Sequence, residues 1–278
     1  MIATATPTTT TDWKRYYGFS ATPFSKQLAV SQVFAHPGHQ EAAARIRWLI
    51  DEQAIGLVTG EVGVGKTLAA RCAVAALDQS KHTIVYIANP AVGARGIHQQ
   101  LAYALGVAPR FHRGALIAQT ADLLARERDE RNKHIALVVD EAHVLDADQL
   151  EQLRMLSNSR MDSDSLLTIV LLGQPSLRRL VRCGSYAALD QRIAVRYHLD
   201  PLPPNQAGDY IRHHLGIAGR NDPLFADDAI QAITHAARGL PRQIGNLAVA
   251  ALIAGYARRN TIIDMDCATA AITDHTAD

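Results

Sequence analysis

The chain has 278 residues, 48% hydrophobic and 20% charged, and its 28 Lys and Arg against 27 Asp and Glu leave a net charge of +1. That length suits one large α/β domain and a smaller one, and the near-neutral balance excludes a strong overall field for nucleic acid or membrane, so any DNA contact must come from a local patch. Three widely spaced cysteines, Cys72, Cys183 and Cys267, give neither a disulfide framework nor a metal site, and the longest apolar runs, near 166–172 and 247–254, are too short for a bilayer; a cytoplasmic protein without membrane contact is expected.

Residues 1–12 read as a disordered, Thr-rich tail with no apolar core of a signal peptide. Trp13, Tyr16, Tyr17, Phe19 and Phe24 then form an aromatic cluster, either a hydrophobic plug or a cover for a nucleotide base. Helical spacing over 41–52 puts Ile46, Leu49 and Ile50 on one face ahead of a short buried strand, Ile55 to Thr59.

Gly60-Glu61-Val62-Gly63-Val64-Gly65-Lys66-Thr67 follows, the pattern G-x-x-x-x-G-K-T, and the Ala-rich run 68–77 after it reads as a helix. Glycines let the backbone turn tightly and aim N–H donors at a polyphosphate lying on the positive end of that helix. Lys66 is placed to reach the β and γ phosphates of ATP, and the Thr67 hydroxyl to hold Mg²⁺. Leu68 completes the nucleotide-binding set.

A second strand is expected at 83–87 and a helix at 96–105 that stops at Gly106. Arg110, Phe111, His112 and Arg113 make a basic loop with one aromatic; it is either solvated surface or, with Arg95, the local candidate for a DNA contact. After a helix at 116–131, the strand 135–139 ends in Asp140-Glu141-Ala142-His143. Four apolar residues before two carboxylates is the second half of a nucleoside triphosphatase site: Asp140 goes to the Mg²⁺ shell and Glu141 polarises the attacking water.

A helix at 149–157 and a strand at 165–172 lead to Gly173-Gln174-Pro175, where Gln174 either senses the γ-phosphate or serves only the turn; Thr168, mid-strand, belongs to the core. A short helix at 176–182 precedes Arg192, which is either a surface residue or a finger reaching a neighbour's nucleotide, with Arg196 as the weaker candidate, and a last strand spans 194–199. Pro201, Pro203 and Pro204 then break the α/β pattern, and helices are expected at 206–215, 227–238, 243–259 and 265–273, the last capped by Asp264. Arg242 stands at a helix start, placed to swing onto a γ-phosphate in the same subunit.

The order of these parts resembles the AAA+ ATPases over residues 13–266, and Tyr17-Gly18-Phe19, the GEVGVGKT loop, Asp140-Glu141-Ala142-His143, Gly173-Gln174-Pro175, Gln191-Arg192-Ile193 and Gly239-Leu240-Pro241-Arg242 look like the ExeA family. That family is close to the transposition ATPases TniB, TnsC and MuB. The resemblance implies a three-layer αβα P-loop domain at 13–200 followed by a small all-helical lid at 201–278. It further implies ATP and Mg²⁺ bound at subunit interfaces, Lys66 and Thr67 as Walker A, Asp140 and Glu141 as Walker B, Gln174 as sensor 1, Arg192 as the finger in trans and Arg242 as sensor 2. The activity implied is ATP hydrolysis by a ring or filament on double-stranded DNA that presents target DNA to a transposase, with or without a target-selector protein. The alternative is an ATPase adaptor that drives assembly of a secretion machine without DNA. Members serving secretion carry a membrane helix and a cell-wall-binding domain beyond the ATPase, and neither is read in this sequence.

Overall fold

The structure is a computed structural model that describes residues 12–158 and 165–276; the expected tail, 1–11, and the end of the lid, 277–278, lie outside the described residues. The chain divides into two units, residues 37–200 and the described residues up to His36 together with those from Pro201 onward.

Asp12–Tyr16 is a short helix, α1, so Asp12 belongs to the folded chain and not to the tail. In the α/β unit, α2 (Pro37–Asp51) feeds β1 (Ile55–Thr59), and the glycine loop joins β1 to α3 (Lys66–Ala75). Next come β2 (His82–Ile87), α4 (Gly93–Ala104), α5 (Arg113–Asp129) and β3 (His134–Val139). The unit closes with α6 (Ala147–Leu156), β4 (Leu167–Gly173), α7 (Pro175–Val181), α8 (Ala187–Asp190) and β5 (Ile193–His198). At α6 and α7 the helix starts lie earlier than periodicity alone suggests, because a cap and a proline set them. Asp146 accepts from the Gln149 N–H at 2.8 Å and opens α6, and Pro175 opens α7, where a missing N–H costs nothing.

The five strands are all parallel, in the order β2-β3-β4-β1-β5. Parallel strands covered on both faces bury every position, which is why β1, β3 and β4 read as continuous apolar runs. Leu57, Leu137 and Ile169 point into one layer with Ile97, Leu101 and Leu150 from α4 and α6. Val58, Ala136 and Val170 point into the other, against Ile46, Leu49, Ala70 and Ala73 from α2 and α3. α2 lies so close to β1 that a Cβ on Gly56 would fall 1.9 Å from Leu49 Cδ1. In register, Thr59 pairs with Gly173 and His198, and Val139 with Ile87 and Leu171, so the carboxyl ends of the strands share one edge. At such an edge an open α/β sheet binds ligands.

The helical unit comprises α1, α9 (Pro204–Ile217), α10 (Asp227–Ala236), α11 (Pro241–Ala257) and α12 (Met265–Thr276). Asp264 caps α12, its Oδ1 accepting from the Cys267 N–H at 3.0 Å, as read. Trp13, Tyr17 and Phe19 are buried among Ile211, Leu215, Ile244 and Leu252. The backbone agrees: Arg220 donates to the Tyr17 carbonyl at 2.7 Å, and the Tyr17 hydroxyl to that of Asn260 at 3.1 Å. Residues 13–36 therefore belong with the helices and not with the α/β unit that precedes residue 201. Trp13, Tyr17 and Phe19 of the aromatic cluster thus pack as a hydrophobic plug, whereas Tyr16 and Phe24 are partly buried.

Candidate active site at the phosphate loop

The loop after β1 is shaped by its glycines. Gly63 and Gly65 have φ of +84° and +110°, the region where a side chain is strained, and a Cβ on Gly60 would fall 2.6 Å from the Leu199 carbonyl oxygen. Gly65 is the N-cap residue of α3, so no side chain caps the first N–H groups of that helix. The ring Nε2 of His39, on α2, lies 3.2 Å from the Gly65 carbonyl and braces the turn from outside. Val64 is buried and anchors the loop, whereas Glu61 and Val62 are exposed at its tip.

Lys66 is 7% exposed, and its ammonium donates to the carbonyls of Gly60 at 2.8 Å and Glu61 at 3.0 Å, which folds it back across the loop. Leu68, next along α3, is half-buried. Thr67 Oγ1 donates to Oδ2 of Asp140 at 2.6 Å. Residues separated by 73 positions thus meet because β1 and β3 flank β4 and end together. Asp140 is 5% exposed, yet its carboxylate is fully engaged: Tyr86 on β2 donates to Oδ2 at 2.9 Å, and the Glu141 N–H to Oδ1 at 2.9 Å. A hydroxyl beside a buried carboxylate, next to a lysine and a helix start, is a donor set suited to Mg²⁺ and a polyphosphate. Burial first, then the bond to Asp140, pushes the Tyr86 phenol up to about 12, so it stays a proton donor at neutral pH.

Glu141 takes a left-handed backbone, φ +50° and ψ +33°, which turns its half-exposed side chain back over the strand end. Its Oε2 lies 3.3 Å from Nδ1 of His143, within ion-pair reach but off the axis of a hydrogen bond. Gln174 is the N-cap residue of α7, just past β4, and its Nε2 donates to Nε2 of His143 at 2.9 Å. Lys66, Thr67, Asp140, Glu141 and Gln174 therefore converge on one edge of the sheet. Tyr86 joins them without having been singled out, and so does His143, read in the sequence only as a letter of the Asp140-Glu141-Ala142-His143 motif. The signal for Tyr86 was its place near the end of the strand beside β3; an aromatic in a strand otherwise reads as packing.

Arg192 precedes Ile193, which pairs with Ile55 at the first residue of β1. It is thus separated from the phosphate loop by the full strand, about 16 Å at 3.3 Å per residue. There it lines a cavity of about 760 Å³ with Arg128 and Arg154. Arg196 is held at home, donating to the Ile193 carbonyl at 2.9 Å and to Asp190 Oδ1 at 2.9 Å. Arg242 is exposed in the first turn of α11, in the helical unit. Arg95 lies 5.1 Å from the centre of the Phe111 ring, which is 77% exposed, and Arg110 and Arg113 are exposed beside it in sequence. Arg113 is the first residue of α5 and not part of the loop.

Residues 49–181 match the model of the AAA domain family. The general secretion pathway protein A of Aeromonas hydrophila is 34% identical over 253 residues, covering 88% of this chain and 45% of that protein. This chain thus spans less than half of that relative's length. Two solved structures share the fold. The ORC1 protein of Aeropyrum pernix in complex with DNA superposes with a TM-score of 0.65 at 17% identity, over 88% of this chain and 66% of that one. Cdc6p from Pyrobaculum aerophilum gives 0.63 at 18%, over 90% and 68%. Residues 49–181 are thus similar to the AAA domain family, and the chain has the parallel five-stranded AAA+ P-loop fold. Among the described residues, no helix is long and apolar enough to cross a membrane.

Proposed function

We propose that the protein is a Mg²⁺-dependent ATPase of the cytoplasm whose subunits assemble as a ring or filament on double-stranded DNA and present it to a transposase, with or without a target-selector protein. The observation that carries the ATPase reading is the 2.6 Å bond between Thr67 and Asp140, next to the buried Lys66 and the open start of α3. In this reading Gly60 to Leu68 hold the triphosphate, Thr67 and Asp140 hold Mg²⁺, Glu141 polarises water and Gln174 contacts the γ-phosphate. Arg242 serves as sensor 2; a cation in the first turn of a helix is opposed by the helix dipole, so its place there favours a role toward an anion.

Assembly enters through Arg192. A guanidinium at the far end of β1 does not reach the loop of its own subunit, so a catalytic role for it requires a neighbour. Such fingers supply on the order of 10³ to 10⁵ in rate. Arg95, Arg110 and Arg113 around the exposed Phe111 offer phosphate contacts without base reading, which suits sequence-nonspecific binding. The transposase and selector rest on the motif resemblance alone.

A second reading, an ATPase adaptor that drives assembly of a secretion machine without DNA, is favoured by the 34% identity to general secretion pathway protein A. One experiment tests both. The full chain and its Lys66→Ala variant are assayed for ATP retention with Mg²⁺, for size in solution, and for gel shift of a nonspecific duplex with a non-hydrolysable ATP analogue. Analogue-dependent assembly and shift, lost in Lys66→Ala, support the first reading. Assembly without a shift supports the second. Failure to retain ATP defeats both.

A further inference from the structure

We propose that His143 is a positioning residue that ties the γ-phosphate sensor Gln174 to Glu141, so that the water-polarising carboxylate is aimed only when Gln174 is in place; this rests on the ATPase reading above. The polarity of the link follows from its atoms. The Gln174 amide nitrogen has only hydrogens to offer, and it lies 2.9 Å from His143 Nε2, so that ring nitrogen accepts. A neutral imidazole with Nε2 as acceptor carries its proton on Nδ1, and Nδ1 is the atom that faces Glu141 Oε2 at 3.3 Å. A hydrogen bond from amide to ring and a close electrostatic contact from ring to carboxylate therefore link the three side chains.

The backbone is built for this link. His143 sits in a single 3₁₀ turn, Ala142–Val144, and is held near the tip of β4 by a glycine: a Cβ on Gly173 would fall 3.2 Å from the His143 backbone nitrogen and 2.6 Å from Leu177 Cδ2. A side chain at 173 would press on Leu177 and require the turn to give by a few tenths of an ångström. Glu141 in turn adopts a left-handed conformation that a residue with a side chain takes at a cost, a strain typical of sites where a group must be aimed. His143 Nδ1 is buried with no hydrogen-bond partner among the described residues, and Glu141 Oε2 stands 3.3 Å from it.

Two measurements on the full chain test the link. The first is independent of turnover: the ¹⁵N signature of His143 should be that of the Nδ1–H tautomer, and Gln174→Ala should change it. An Nε2–H tautomer in the native chain overturns the proposal even if the protein hydrolyses ATP. The second is steady-state hydrolysis. His143→Ala should lower kcat about tenfold or more with KM within about twofold. His143→Asn, whose amide nitrogen stands where Nδ1 stood but which leaves Gln174 without its acceptor, should recover little of it. The double variant with Gln174→Ala should be no slower than the slower single one. Unchanged kcat in His143→Ala, an Asn variant as fast as the native chain, or multiplying losses each overturn it. A native chain that binds ATP poorly and shows no turnover defeats the ATPase reading itself, and the link with it.

Discussion

Tyr86 and Thr67 donate to the same oxygen, Oδ2 of Asp140, the tyrosine at 2.9 Å from β2 and the threonine at 2.6 Å from α3. The phenol thereby adds a second anchor to the carboxylate, as outer partners of metal ligands do. Tyr86→Phe keeps the ring and removes only the donor. The Mg²⁺ concentration for half-maximal hydrolysis should rise roughly tenfold, the lower end of the range for such partners, while Mg²⁺-free nucleotide binding stays unchanged. A Mg²⁺ titration of turnover decides it; an unaltered midpoint would mean Asp140 is oriented by Thr67 and its own turn alone.

Arg192→Ala should retain ATP binding and lose assembly-dependent turnover by about 10³-fold or more. The prediction follows from its distance: at the start of β5 it stands a full strand away from Gly60. Mixing the variant with Glu141→Gln subunits provides a sharper check. Each mixed interface that pairs an intact finger with an intact Glu141 should regain activity. If the mixture stays as inactive as its parents, the arginine works within its own subunit or elsewhere.

The parts of the site legible in the sequence are those whose signal is local. The glycine spacing of 60–65, the apolar run into Asp140 and the polar tip after β4 each announce themselves within a few residues. Parallel strands covered on both faces need continuous apolar runs, so β1, β3 and β4 were readable, whereas the half-exposed β2 and β5 were less so. What was hidden depends on pairing at long range. Nothing near Tyr86 says that β2 will lie against β3 and bring its hydroxyl to Asp140. Likewise, the aromatic segment 13–24 sits next to the α/β unit in sequence, but its burial partners, Ile211 and Leu252 among them, come some 200 residues later. The second half of the site differs again: His143 was seen as a letter in a motif, and its role appeared only with the Gln174 contact.

If the patch around Phe111 binds duplex DNA, its contribution is counted in phosphates. Replacing Arg110 and Arg113 together with Ala should weaken binding without changing sequence preference and reduce the slope of log K against log salt by about 2, near 0.9 per lost contact. Arg95 is a poorer choice for this test, because its guanidinium also packs on the Phe111 ring at 5.1 Å. Salt titrations by fluorescence anisotropy give the slope directly. An identical slope in variant and native chain would move the contact to another face.

His214 should make the helical unit acid-sensitive. Its ring stacks on Phe24 at 5.0 Å and lies 4.5 Å from Tyr210, and Nδ1 has no hydrogen-bond partner among the described residues. Burial, and secondarily the neighbouring His213, lowers its pKa from 6.5 to about 4. The folded state thus keeps the imidazole neutral while the unfolded chain takes up a proton below 6.5. Stability should fall as pH drops from 6.5 toward 4 and level off below that. At about 1.4 kcal/mol per pH unit, the loss is on the order of 3 kcal/mol across the window. His214→Phe, of similar shape and without a titrating nitrogen, removes this contribution. Denaturant unfolding of the full chain at pH 7 and pH 4.5 should show the native chain losing about 2 to 3 kcal/mol more than the variant. Equal losses would mean that the imidazole escapes its aromatic cage before it titrates.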